Sequence, residues 1–257
     1  MKIAGIVAEY NPFHTGHAYQ IACTRAQLGE DCAIAAVMSG HWVQGGRPAI
    51  ADKWTRTRLA LLGGADLVLE LPTVWAVSSA ETFARGAVGL LAAAQVVDVL
   101  SFGSECGDAD KLQRAAICLN SPEYEAGLRR LVEGGTPFAA ARQGAVEGLL
   151  GPELAELLST PNNNLGVEYI RALDRLNRDI RPMTVRREGA PHDSLLLGTE
   201  RPRFCSATQL RAYLGREDWT ALEPYLPQNG PAVLRAGWSG FPGRERAERG
   251  LLARLRT

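Results

Sequence analysis

The chain has 257 residues, a mass of 27.7 kDa and a formal net charge of zero, with 46% hydrophobic and 22% charged residues. That balance suits one large domain with its own core and excludes wholesale disorder or a need for disulfide or metal staples. No apolar run approaches the ~20 residues of a membrane-spanning helix.

The N-terminal sequence MKIAGIVAEYNPFH meets Asn and Pro after one short apolar run, so no signal peptide is expected. Cys23, Cys32, Cys106, Cys118 and Cys205 are dispersed without a CxxC pair. Such a set predicts reduced thiols in a cytoplasmic protein rather than a disulfide framework or a zinc site. The zero net charge hides an asymmetry: residues 1–170 sum to −6 and residues 171–257 to +6. Basic charge gathered in one portion hints at a polyanionic partner, although a solvated helical surface explains it equally well.

In chain order, Ile3 to Ala8 reads as a buried strand, followed by a loop and a helix from about His17 to Leu28. Ala33 to Met38 is the second strand, and a Gly-containing loop leads to a helix over Asp52 to Leu62. Asp66 to Leu71 is a third strand ended by Pro72, Ser79 to Ala94 a helix, and Val96 to Phe102 a fourth strand followed by Gly103. This alternation predicts βαβ units: an α/β fold, a Rossmann-like, doubly wound parallel sheet.

Residues 108–158 show helical patterns only, broken at Pro122, Gly134-Gly135 and Gly151-Pro152, and read as a helical insertion. PNNNLG at 161–166 is turn chemistry opening a helix from about Leu165 to Leu176. Pro182 to Arg187 is a fifth strand, and Ser206 caps a short helix through Leu214. A Gly- and Pro-rich segment over Gln228 to Gly243 and a basic helix, ERAERGLLARLR, follow. The expected organisation is a sheet domain over 1–215 and a short helical tail over 216–257.

The informative stretch is Tyr10-Asn11-Pro12-Phe13-His14-Thr15-Gly16-His17, where the first strand hands over to the first helix. Open parallel sheets bind ligands at such strand ends. His14 and His17 place two imidazoles at a helix N-terminus, which already favours an anion, and Gly16 removes bulk where a ligand must approach backbone. Imidazole N–H groups there can answer negative charge developing on phosphate oxygens. The plain alternative is a pair of capping or surface histidines; a zinc site lacks further ligands at suitable spacing. Late in the chain, Ser206, Thr208 and Arg211 of SATQLR put two hydroxyls and a guanidinium at a helix start, which makes either a phosphate clamp or an ordinary Ser-capped helix.

HxGH early and SxTxxR late resemble the HIGH-type nucleotidylyltransferase superfamily. The blocks GIVAEYNPFHTGH, VMSGHWVQGGRPAIADKWTR, GADLVLELP, SAETFARGAVGLL, SFGSECGD, PNNNLGVEYI and SATQLR, in order over residues 5–211, resemble the bacterial tRNA(Met) cytidine acetate ligase family. The resemblance implies that ATP and acetate give acetyl-adenylate and pyrophosphate. The acetyl group then passes to N(4) of the wobble cytidine of elongator tRNA(Met). It implies a catalytic pair, His14 and His17, and ATP contacts over Val7, Ala8, Glu9, Tyr10, Asn11, Pro12, Phe13, His14, Thr15, Gly16, His17, Ala18, Tyr19 and Gln20. Further ATP contacts are implied at Gly103, at Asn162 and at Arg187, with Arg186 as the alternative because the spacing to His192 is shifted.

Magnesium is expected to accompany ATP, with no metal held by the protein. Lys53, beside Arg56 and Arg58, is a candidate for a further phosphate or tRNA contact. Trp42 and Trp54 could stack on a base, core packing being the better reading of Trp54. Two departures stand out: Gln44-Gly45-Gly46-Arg47-Pro48-Ala49 replaces the usual QRGEPA, and the family's long helical C-terminal extension does not follow, so that residues 216–257 read as its remnant and tRNA binding as weakened. Rival expectations are adenylyl transfer to a small phosphorylated acceptor, and an ATP-binding protein without turnover.

Overall fold

The computed structural model describes residues 1–176, 179–188, 204–240, 248–250 and 252–253. The chain divides into two compact units, Met1–Ser79 with Glu188–Thr257, and Ala80–Arg187.

In the first unit, β1 (Ile3–Ala8), α1 (Thr15–Leu28), β2 (Ala33–Ser39), β3 (Trp42–Val43), β4 (Arg47–Pro48), α2 (Lys53–Leu62), β5 (Leu67–Leu71) and α3 (Thr73–Ala76) follow one another. β1 pairs in parallel with β2, from Ile3 opposite Ala33 to Ala8 opposite Met38, and β2 pairs in parallel with β5, from Ala35 opposite Leu67 to Ser39 opposite Leu71. Parallel strands need crossovers, which α1 and α2 supply. Side chains alternate across a strand, and Ala4, Ile6, Ile34, Ala36 and Met38 join one core with Phe13, Ile21 and Leu59. β3 and β4 form a small antiparallel hairpin that the sequence pattern did not announce.

The second unit holds α4 (Ala80–Ala93), β6 (Val99–Ser104), α5 (Ala109–Leu119), α6 (Pro122–Glu133), α7 (Phe138–Leu150), α8 (Pro152–Glu156), α9 (Pro161–Leu176) and β7 (Arg181–Arg186). β6 and β7 pair in parallel, Gly103 opposite Val185. The breaks at Pro122, Gly134-Gly135 and Gly151-Pro152 all fall between helices, since Pro fits a first helical turn and Gly ends one. α9 starts four residues before the expected Leu165. Pro161 takes a first-turn position, where no amide donor is needed, and Asn162 and Asn163 direct their backbone N–H groups to the Glu105 carboxylate. A buried ion cluster ties this unit together: Glu168 meets Arg142 at 2.5 Å and Arg171 at 2.9 Å.

The chain then returns to the first unit with α10 (Ala207–Gly215), α11 (Trp219–Leu222) and α12 (Gly230–Gly237). α12 lies within the Gly- and Pro-rich segment over Gln228 to Gly243, where Pro takes the helix's first turn and Gly its end. Gly237 lets α12 approach α2: a Cβ there would lie 2.1 Å from the Thr55 hydroxyl. Leu222, Tyr225, Leu226 and Leu234, from the expected tail, belong to the same core as Ile6 and Phe13. Most of the closing basic helix lies outside the described residues, although 248–250 and 252–253 are helical. All five cysteines are free thiols. Among the described residues no helix is long and apolar enough to cross a membrane.

Candidate active site

The loop from β1 to α1 is set by its own side chains. His14 is the N-cap of α1, and its Nδ1 accepts the Gly16 N–H at 3.0 Å. His17, one turn on, accepts the His14 N–H on its Nδ1 at 3.2 Å, completing a reciprocal capping box made of two histidines. An accepting Nδ1 carries no proton, so the bonds assign the neutral tautomer to both rings with the hydrogen on Nε2. The ring centroids lie 3.8 Å apart. Gly16 is required here because a Cβ would sit 2.9 Å from the His14 ring, so the space it leaves is taken by the imidazole itself.

Tyr10 and Phe13 back this pair. Their rings are 4.8 Å apart, and Tyr10 lies 4.8 Å and Phe13 5.4 Å from the His17 ring. Both are buried, and Tyr10 adopts φ 45°, an unusual backbone state for a bulky residue. The Asn11–Pro12 peptide is cis. Asn11 accepts the Ile50 N–H on its side chain at 2.8 Å, while its carbonyl accepts Arg211 at 3.1 Å. Arg211 also donates to the Thr208 hydroxyl at 2.9 Å. The late motif therefore reaches the early one, although the buried Ser206 hydroxyl serves to cap α10 through the Gln209 N–H.

At the ends of β1 and β2 sits Arg56, whose side chain is wholly buried. It donates to the carbonyls of Glu9, Ser39, Gly40 and Ala51. Burial pushes its pKa down to about 10, so it stays charged at neutral pH. Burial also raises the Glu9 carboxyl, against the pull of its bond from the Gln44 N–H at 2.7 Å and of Arg56 and Arg211. Lys53 pairs with Glu70 at 2.6 Å and lies 5.2 Å from the Trp54 ring. Trp54 is two-thirds exposed, which corrects its expected place in the core: it lies on the outer face of α2, opposite Thr55, Arg56 and Leu59.

In the second unit, Asn162 and Arg187 are brought together. Asn162 donates its Nδ2 to Glu105 at 2.6 Å and accepts Arg187 on Oδ1 at 3.4 Å. The Arg187 N–H also returns to the Ser104 carbonyl at 2.9 Å. Arg186 ends β7 and packs its side chain against Gly107; His192 lies outside the described residues. Burial favours protonation of Glu105, yet the bonds from Asn162 and from the Asn163 and Asn162 amides win and hold its pKa below the usual value. Glu105 had been missed; a carboxylate one residue beyond a parallel strand, with PNNN later in the chain, was its only signal.

The HIGH Nucleotidyl Transferase family model matches residues 1–249. The chain belongs to the HIGH nucleotidyltransferase family. As a HIGH nucleotidyltransferase it is 42% identical over 246 residues to the tRNA(Met) cytidine acetate ligase of Thermoanaerobacter sp. (strain X514), covering 95% of this chain and 60% of the relative. It is 43% identical over 234 residues to that of Caldanaerobacter subterraneus subsp. tengcongensis, covering 88% and 56%.

Thermotoga maritima TmcAL bound with alpha-thio ATP superimposes with a TM-score of 0.82 at 37% identity, over 92% of this HIGH nucleotidyltransferase and 56% of that chain. The apo form gives 0.84 at 38% identity, with the same coverage. The fold is thus the expected Rossmann-like α/β nucleotidyltransferase fold, and the chain spans about 60% of the length of the curated relatives it matches.

Proposed function

We propose that this chain carries the adenylating part of a tRNA(Met) cytidine acetate ligase. The observation that carries the reading is the double-histidine capping box: backbone bonds occupy both Nδ1 atoms, which puts the ring protons on Nε2. In the proposed first step an acetate oxygen attacks the α-phosphorus of ATP, the bond to the β-phosphate oxygen breaks, and pyrophosphate leaves with the electron pair. His14 and His17 donate to phosphate oxygens as charge grows, an effect stronger in the transition state than in the ground state. Arg211, tied to the Asn11 carbonyl, holds the loop in place while the charge moves.

Asn162 and Arg187 are proposed nucleotide contacts, ordered by Glu105 before ligand arrives. Magnesium is expected on the phosphates themselves. When bound, it offsets phosphate charge. In the proposed second step the N(4) amine of the wobble cytidine of elongator tRNA(Met) attacks the acetyl carbon, AMP leaves and the amine loses a proton. The names of the relatives support a cytidine of tRNA(Met) as the acceptor.

Acetate-dependent exchange of labelled pyrophosphate into ATP tests the reading. Exchange stimulated by acetate, and not by phosphopantetheine or nicotinate mononucleotide, is the expected result. Equal exchange without acetate excludes acetyl-adenylate formation.

A further inference from the structure

A wholly buried arginine that donates to four main-chain carbonyls is an unusual way to keep a charge. Buried cations are ordinarily held by carboxylates. Asp52, one turn before Arg56, turns its own carboxylate to the Thr55 amide and hydroxyl. Glu9 directs its carboxylate to the Gln44 amide and hydrogen-bonds Arg56 through its carbonyl, so that the carboxylates of Glu9, Asp52 and Glu70 favour the charge from a distance without a hydrogen bond to it.

Three of the four carbonyls, those of Glu9, Ser39 and Gly40, lie just at or beyond the C-terminal ends of β1 and β2, the edge of a parallel sheet where ligands bind. A trans peptide is planar, with its C=O and N–H antiparallel, and the Asn11–Pro12 bond is the one cis peptide among the described residues. Each carbonyl that turns toward Arg56 therefore turns the next residue's amide away from it. Those amides belong to Tyr10, Gly40 and His41, and among the described residues none of the three donates to a backbone acceptor outside helices and strands. Three N–H groups presented beside a fixed positive charge make a receptor for an anion.

We propose that Arg56 is a positioning residue for a polyphosphate: its grip on the ends of β1 and β2 aims the Tyr10, Gly40 and His41 amides at the phosphate chain of the nucleotide. This rests on the nucleotidyl-transfer reading above and extends it to a residue that never touches the ligand. It also gives Arg56, which stands in the sequence only as a neighbour of Lys53, the part of an internal brace. Lysine at this position keeps the charge on a single nitrogen and cannot fork to carbonyls on two strands and a loop.

The test has two arms. Inorganic tripolyphosphate is titrated into the unaltered protein while the backbone amide resonances are followed by NMR; those of Tyr10, Gly40 and His41 should shift together and saturate. In the second arm, ATP and adenosine binding are compared by calorimetry in the unaltered chain and in Arg56→Lys. ATP affinity should fall about tenfold or more, the loss of one or two charge-assisted hydrogen bonds, with adenosine affinity unchanged. A purely structural role would weaken both ligands alike, and that result overturns the proposal, as do unmoved amides. Should Arg56→Lys fail to fold, the amide titration decides alone. Acetate-dependent exchange without amide shifts sinks this inference and spares the proposed function; amide shifts without such exchange do the reverse.

Discussion

His14 caps α1, and the proposed function gives it a second job; two substitutions separate the two. His14→Ala deletes both the acceptor that caps the Gly16 amide at 3.0 Å and the ring stacked 3.8 Å from His17. Loss of a cap costs about 1 kcal/mol, which for a chain of this size lowers Tm by roughly 2–4 °C. Loss of a donor to the transition state costs more, about 2.7–4 kcal/mol, or two to three orders of magnitude in turnover. His14→Asn restores a good cap acceptor but is too short to place a donor where Nε2 stood. Its Tm should therefore stay close to that of the parent chain while its exchange rate falls as far as that of His14→Ala. Pyrophosphate exchange at saturating ATP and a thermal melt on each variant provide the readouts. ATP affinity should change much less than turnover in both. Near-normal exchange by His14→Asn would refute the reasoning, because it would make the histidine a cap and nothing more.

Removing the Glu168 carboxylate by Glu168→Ala leaves Arg142 and Arg171 without their buried partner and should destabilise the chain by about 3–5 kcal/mol in urea titrations. Glu9 has a folded-state pKa above its unfolded value of 4.5, so its ionised form costs stability above the folded pKa and the cost vanishes below the unfolded one. Glu9→Gln keeps an acceptor for the Gln44 amide and should raise Tm at neutral pH, an advantage that melts at a series of falling pH values should show shrinking to nothing. Binding of tRNA should be weak, steeply salt-sensitive and nearly indifferent to tRNA identity, since phosphate contacts position without reading bases; filter binding over a salt series, with elongator tRNA(Met) against bulk tRNA, measures both.

How far the sequence carried the fold depended on whether periodicity or partnership sets an element. β1, β2 and β6 are apolar runs, and α1, α2 and α4 have clear stops, so each was legible to within a few residues. The start of α9 was not, because Asn162 and Asn163 look like turn residues until the Glu105 carboxylate that accepts their amides is known. α12 was hidden for a related reason: its Gly and Pro residues are tolerated through position and close packing on α2 rather than propensity. At the site, HxGH showed where the imidazoles lie but not that they cap one another, a matter of ring orientation. Arg56 drew no role from the sequence, because its burial is decided by the helix face it shares with Leu59 and Ala60.

The bond from Arg211 to the Asn11 carbonyl joins residues 200 apart, and it bears on how the protein is made. A ribosome releases the HxGH loop early, yet one of the two partners of Asn11 does not exist until α10 has been translated. The other partner, Ile50, comes 39 residues after Asn11. The core beneath the loop likewise waits for Leu210, Leu222 and Leu234. Contacts so distant in sequence form late, after the chain entropy of a long loop has been overcome. A nascent chain therefore carries its histidine pair on a loop that only the arrival of α10, 200 residues after Asn11, and of the leucines beyond it fixes.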